Sequence, residues 1–333
     1  MKFKTTAIAM AVAGTVAAPV AVQAGADEIY ASARVGTWFV DEGGTGDLDI
    51  KSFSSRFGAR GETDLGNGLT GFGRYEWDVD ENDFSIRHRY VGLKGDFGSA
   101  LIGKTYHTFY NFAVGPTDNP WWHSGYAMID YVSRTDKGLT YAGSSDNFAF
   151  GATVYMNRDT DENAVDVYEV GASFTFGNDM TLGAAVRGTE ADIGDDDAGY
   201  ANTNDGIAIG NGSDEEVFGV TLSGIMLGDF GMGFGAQMQD DDTSFLADIS
   251  YNNFYVHIEA EFVDQDSPAN FDLDTNTREF DDDRDRLSTT LGYTQSLGRK
   301  TTAYYEFNYI DNDTDDSDDD RTAVMAVLKY DII

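Results

Sequence analysis

Apolar and polar residues alternate with a period of two along almost the whole chain. That pattern constrains the fold more than any other feature, because it marks strands whose two faces meet different surroundings. Over 254–263, Phe254, Val256, Ile258, Ala260 and Phe262 share one face, while Tyr255, His257, Glu259 and Glu261 share the other. The same dyad places Phe148, Phe150, Ala152, Val154 and Met156 together, and likewise Ala303, Tyr305, Phe307 and Tyr309. Sixteen such runs can be traced, at 28–40, 48–65, 69–77, 84–97, 100–106, 128–141, 148–156, 165–176, 180–189, 216–227, 230–239, 244–251, 254–263, 286–296, 301–310 and 322–332. No segment shows a comparable helical period.

The connections between these runs are of two kinds. Tight, turn-forming sequences such as Gly66–Gly68, Gly95–Ser99, Ser144–Asn147, Gly177–Asp179 and Asn252–Asn253 alternate with longer, acid-rich ones at 41–47, 78–83, 159–162, 190–214, 240–242, 264–285 and 311–320. The long connections therefore all emerge at one end of the sheet. One of them differs: the segment 106–128 contains TFYNFAVGPTDNPWWHSGY, which is aromatic and has a single carboxylate.

An even number of antiparallel strands, with short turns at one end and long loops at the other, predicts an all-β fold: a 16-stranded transmembrane β-barrel of the outer-membrane type. Closure is required because lipid cannot hydrogen-bond an open edge, and a barrel this wide leaves a water-filled passage. A secreted β-sandwich is the competing architecture, but it usually has fewer strands. The first 24 residues, with Lys2 and Lys4 ahead of an alanine-rich apolar run and small residues before Ala24, predict a signal peptide, leaving 25–333 as the barrel domain. A formal charge of −36 excludes nucleic acid as a partner. The absence of cysteine excludes disulfides, thiol catalysis and cysteine-bound zinc.

Two stretches resemble the trimeric general diffusion porins of Gram-negative outer membranes. SSRFGARGETDLGNGLTGFGRYEW, at 54–77, is similar to that family's second and third strands, and RHRYVGLKGDFGSALIGKTYHTFY, at 87–110, to its fourth and fifth. The resemblance implies an outer-membrane location, a homotrimer surrounded by lipid and lipopolysaccharide, and passive passage of ions and small hydrophilic solutes. It also implies a third loop folded into the lumen, whose acids face a ladder of wall arginines. Carried over residue by residue, Arg34, Arg56, Arg87, Arg89 and Arg134 match the basic wall and Asp118 the loop acid. Trp121 stands where a second loop acid is expected and Tyr126 where the sixth strand would open with Arg; the short connection 78–83 lacks the family's intersubunit latch, and the chain ends in Ile333 rather than Phe.

Other readings of these residues stay open at this level. The arginines also suit ordinary solvated lumen positions, and Asp118 suits a turn of the TDNP type. Trp121, Trp122 and Tyr126 either pack the third loop against the wall or offer a stacking surface to a sugar. The acidic mouth predicts cation preference through its local potential, and equally suits a saline habitat. No cofactor is expected; the acidic loops suit plain solvation, with loosely bound Ca²⁺ or Mg²⁺ as the alternative reading. Asp272, Asp274 and Asn276 have EF-hand-like spacing, but Thr277 occupies the glycine position and Asp283 the final glutamate position. Ser124 beside His123 resembles no nucleophile motif, so no enzymatic activity is expected. A substrate-selective channel and a non-conducting acidic surface barrel are the alternative functions.

Overall fold

The computed structural model describes residues 23–24, 28–42, 44–80, 84–129, 134–156, 167–177, 179–189, 216–262, 270–272, 277–279, 285–312 and 320–333. Nearly all of them lie in one antiparallel sheet. Its strands are β1 (Glu28–Glu42), β2 (Thr45–Ser52 continued by Ser55–Gly66), β3 (Leu69–Val79), β4 (Phe84–Gly95), β5 (Gly98–Tyr106), β6 (Arg134–Ser145), β7 (Phe148–Tyr155) and β8 (Val167–Phe176). They continue as β9 (Met180–Thr189), β10 (Glu216–Leu227), β11 (Phe230–Gln239), β12 (Asp242–Tyr251), β13 (Phe254–Phe262), β14 (Arg286–Ser296), β15 (Thr301–Asp311) and β16 (Arg321–Asp331). Each strand pairs with its neighbour in sequence. The sheet closes where β1 pairs with β16, from Ser32 opposite Asp331 to Glu42 opposite Arg321. The result is the sixteen-stranded barrel that the alternation predicts. A two-residue bridge, Gln23–Ala24, pairs with Thr63 and Asp64, and a small hairpin joins Asn270–Asp272 to Thr277–Glu279.

The barrel is inside out relative to a water-soluble protein. Val91 and Phe254 are 69% and 60% exposed on the outer face, whereas Glu169, His257, Glu259 and Asn308 are fully buried on the inner one. In water such an outer surface would cost about 25 cal/mol for every Å² of apolar area. Against lipid it is the favourable surface. The closed ladder satisfies the strand backbone, which lipid could not. No helix among the described residues is long and apolar enough to cross a membrane.

Irregularities in the strands matter for the interior. The two segments of β2 meet at Phe53 and Ser54, where Ser54 has φ 57° and Phe53 donates its N–H to Arg34 O at 2.8 Å. This break lets odd-numbered Lys51 and Phe53 and even-numbered Arg56 all reach the interior. In β4 the register jumps from His88 opposite Glu76 to Ile86 opposite Trp77, leaving Arg87 as the extra residue of a bulge. Strict parity predicts Arg87 and Arg89 on one face with His88 opposite. Instead Arg87 and His88 both reach the inner face and Arg89 is exposed. The sixth run also moves: residues 128 and 129 belong to the connecting segment, and β6 begins at Arg134.

Candidate functional site

The connection from β5 to β6 is the one with the most built-in structure among the described residues. It opens with a short helix, α1 (Thr108–Ala113), followed by a 3-10 turn at Gly115–Thr117. Side chains on the inner face hold it along its length. Thr108 Oγ1 meets Thr153 Oγ1 at 2.8 Å, the Thr221 hydroxyl donates to Phe112 O at 2.8 Å, Asn119 Nδ2 donates to Asp248 at 2.9 Å, and the Thr290 hydroxyl donates to His123 O at 2.9 Å.

Three buried glutamates take the backbone donors that have no strand partner. Glu169 accepts the N–H of Phe109 at 2.9 Å. Glu306 accepts those of Trp121, Trp122 and His123 at 2.5, 3.2 and 3.0 Å, and also the Tyr255 hydroxyl. Glu259 accepts those of Gly125, Tyr126 and Ala127 at 2.6, 2.9 and 3.1 Å. A buried peptide N–H without a partner costs about 1–3 kcal/mol. A buried carboxylate without donors costs more. Each therefore offsets the other's desolvation. The wall is also cut away beneath the helix: a Cβ on Gly183 would lie 2.3 Å from Phe112 O, and one on Gly219 would lie 2.6 Å from the Ala113 Cβ.

Beside this segment sits an arginine cluster. Arg34 donates Nε to Ser32 Oγ at 3.3 Å, while Arg34, Arg56 and Arg87 are near enough to repel one another. Arg87 is tied to Glu76 and Asp78, both at 3.2 Å, and Arg74 shares Glu76 with the Tyr30 hydroxyl. Arg34 and Arg56 have no ion pair among the described residues. Arg134 lies with its guanidinium carbon 5.0 Å from the Tyr106 ring centroid. Asp118 accepts the Tyr110 hydroxyl at 2.6 Å. Burial first, and then the Asp118 charge, push the Tyr110 hydroxyl well above the phenol range, so that it remains a donor.

The aromatics of the segment pack against the wall. Trp121 stacks on Tyr304 at 4.4 Å, Trp122 meets Phe53 edge-on at 5.1 Å, and Tyr126 gives its carbonyl to Arg286 at 2.9 Å. His123 donates Nδ1 to Glu306 at 2.9 Å. Burial holds the His123 ring below the ordinary imidazole range; Glu306 opposes that shift, and the Arg321 and Lys51 charges add to it.

A second histidine superficially resembles a hydrolytic relay. Ser124 Oγ is 3.4 Å from His257 Nε2, and His257 Nδ1 is 2.7 Å from Asp248. Yet Nε2 is closer still to Glu259, at 2.8 Å, and Ser124 itself donates to Glu259 at 3.2 Å. A ring held by a carboxylate at each nitrogen donates from both and has no lone pair to take the serine proton. The cluster is a structural clasp. No group of side chains among the described residues is arranged to hold a metal ion.

Comparison with known proteins fixes the family. The description of the Gram-negative porins matches residues 5–315. The chain belongs to the Gram-negative porin family. Among curated relatives, this porin is 27% identical over 186 residues to outer membrane porin F of Xenorhabdus nematophila, covering 47% of this chain and 49% of that one. It is 32% identical over 116 residues to outer membrane porin C of Serratia marcescens, covering 31% of this chain and 27% of that one. The matched region thus spans about half, or less, of these relatives. In fold, the porin is similar to a loop L8 deletion mutant of OmpT, an outer membrane protein of Vibrio cholerae, with TM-score 0.66, 20% identity and coverage of 93% and 100%. It is also similar to an anion-selective porin from Comamonas acidovorans, with TM-score 0.63, 14% identity and coverage of 92% and 99%. The porin resides in the outer membrane.

Within this porin, Arg34, Arg56 and Arg87 come together, Arg134 and Asp118 lie along the β5–β6 segment near Tyr106 and Tyr110, and Arg89 stands apart. Residues 1–22 of the expected signal peptide, Asp274, Asn276 and the Asp272 side chain lie outside the described residues, as do most of the acidic loops. Sequence reasoning overlooked Glu169, Glu259 and Glu306 because it assigned the acids to the mouth. The available signal was a lone carboxylate at inward parity in the middle of a strand, as in Tyr305-Glu306-Phe307.

Proposed function

We propose that this porin is a general diffusion channel for ions and small hydrophilic solutes, with cation preference, in which the β5–β6 segment lies in the lumen as the constriction. The observation that supports this best is the pairing of an apolar outer face with inner-face side chains that bind the segment from β7 to β15. Opposed charges, Arg34 and Arg56 on the wall and Asp118 on the segment, give the narrow zone a transverse field that favours dipolar, hydrated solutes over apolar ones.

Charge preference has two opposing sources. Arg34 and Arg56 favour anions at the narrow zone. Inner carboxylates such as Glu76 and Glu169 are largely neutralised by arginines, so the net charge of −36 resides mainly in the acidic loops at the mouth. Their potential concentrates cations within a Debye length, about 8–10 Å at 0.1–0.15 M salt. The porin acts as a homotrimer in this reading, as the OmpT of Vibrio cholerae does in its described trimer form.

Single-channel recording in planar bilayers tests the proposal, with the zero-current potential taken across a salt gradient at low and high ionic strength. Stepwise ohmic openings with a cation preference that fades in high salt are expected. Absence of conductance from correctly folded, heat-modifiable protein would overturn the reading.

A further inference from the structure

Three aromatic rings meet at a corner of the interior, and a cation already sits there. Trp38 of β1 and Phe53 at the break in β2 are stacked, with centroids 5.6 Å apart and planes 19° apart. Trp122 of the β5–β6 segment stands across both, at 88° to Trp38 and 80° to Phe53. The ammonium of Lys51 lies 3.1 Å from the Trp38 centroid, 5.4 Å from that of Phe53 and 5.8 Å from that of Trp122. Two further cations use the same aromatic group: Arg321 lies 5.7 Å from Trp38 and Arg34 5.8 Å from the neighbouring Trp121. Phe53 is fully buried, whereas Trp38, Trp121, Trp122 and Lys51 are only partly buried, so the cage is open on one side.

We propose that this corner is a binding site for organic cations in transit, taking alkylammonium and guanidinium groups, with Lys51 as its built-in resting occupant. The π-faces attract a cation electrostatically, and the gain is largest for ions that hold their water weakly. Potassium keeps its hydration shell and gains little, whereas a tetraalkylammonium or guanidinium ion presents a poorly hydrated surface to the open ring faces. Lys51 reaches the cage on a flexible four-carbon stem, so an incoming cation displaces the ammonium without moving the barrel. The acidic mouth supplies the concentration of cations, and the cage discriminates among them. Phe53 keeps the inward parity of Lys51, and the break that follows at Ser54 brings Arg56 to the same interior.

This inference rests on the channel reading above and is tested separately from it. Tetramethylammonium is titrated into a fixed KCl bath while potassium current through single channels is recorded. Saturable reduction of the current is expected in the wild type. Lys51→Ala, which takes the ammonium and its stem out of the cage, lowers the half-blocking concentration roughly 2- to 30-fold, the range of cation–π energies expressed as binding constants. Trp38→Leu abolishes the block while leaving potassium conductance and heat-modifiability unchanged. Tryptophan fluorescence of detergent-solubilised protein gives a second readout, with a tetramethylammonium-dependent change that Trp38→Leu removes. Potassium conductance with no block, or equal block in wild type and Trp38→Leu, overturns the cage and leaves the channel reading standing. No potassium conductance at all overturns the channel reading itself.

Discussion

Glu306 grips His123 twice: its carboxylate accepts the residue's backbone N–H at 3.0 Å and its ring Nδ1 at 2.9 Å. The two residues are 183 positions apart in sequence and fully buried. This contact ties β15 to the β5–β6 segment, and Glu259 on β13 accepts the next backbone donors, those of Gly125, Tyr126 and Ala127.

Glu306→Gln and Glu259→Gln keep shape and volume but replace a charged acceptor by a neutral one. Each variant loses charge-assisted bonds to three backbone donors, a loss of roughly 2–5 kcal/mol in segment docking. The barrel ladder is untouched. Expected outcomes are normal heat-modifiability together with larger and noisier single-channel conductance. Wild-type current noise in both variants would show that the glutamates do not hold the segment.

The docking of His123 depends on pH. Its ring is held neutral by burial, so its folded-state pKa lies below the unfolded value of 6.5. Above that value neither state carries a proton and nothing is lost. As pH falls through about 6.5 and towards the lower folded value, the undocked ring takes a proton that the docked ring does not, and docking weakens. Current fluctuations should therefore grow between pH 7 and pH 5 in the wild type. His123→Gln, which cannot titrate, should flatten that dependence, and an unchanged pH profile in this variant would assign the effect to another group.

Arg34 and Arg56 carry charge without an ion-pair partner among the described residues, so in the proposed channel their removal takes away the groups that favour anions. Arg34→Ser with Arg56→Ser should raise the cation-to-anion permeability ratio by roughly two- to fivefold per charge removed, the Boltzmann factor for about 0.4–1 kcal/mol between charges a few ångströms apart in water. Arg89→Ser should leave selectivity unchanged, since Arg89 is exposed on the other side of its strand. Zero-current potentials in a salt gradient measure both.

Gly183 and Gly219 allow the close approach of α1 to the wall. Gly183→Val places its Cβ within 2.3 Å of a backbone oxygen that has no freedom to rotate away. The helix must lift while the strand stays paired, so channel conductance should shift with little change in barrel unfolding temperature. A variant with unaltered conductance would show that the segment tolerates the displacement elsewhere.

Much of this protein was legible in its sequence. Period-two alternation is a property of each strand alone, because successive side chains point to opposite sides. The strand count, the antiparallel order and the apolar outer face all follow from it, and the arginines of the interior were visible as polar members of that alternation. What only the tertiary structure decided are the places where alternation is interrupted. The break at Phe53–Ser54 and the bulge at Arg87 each reassign faces by one residue, which depends on the register with a neighbouring strand. Together they brought Lys51, Phe53, Arg56, Arg87 and His88 to one interior and left Arg89 out of it. The glutamate clasps likewise join positions that are far apart in the chain, and a buried carboxylate is recognisable as such only once the donors that neutralise its desolvation have been brought to it.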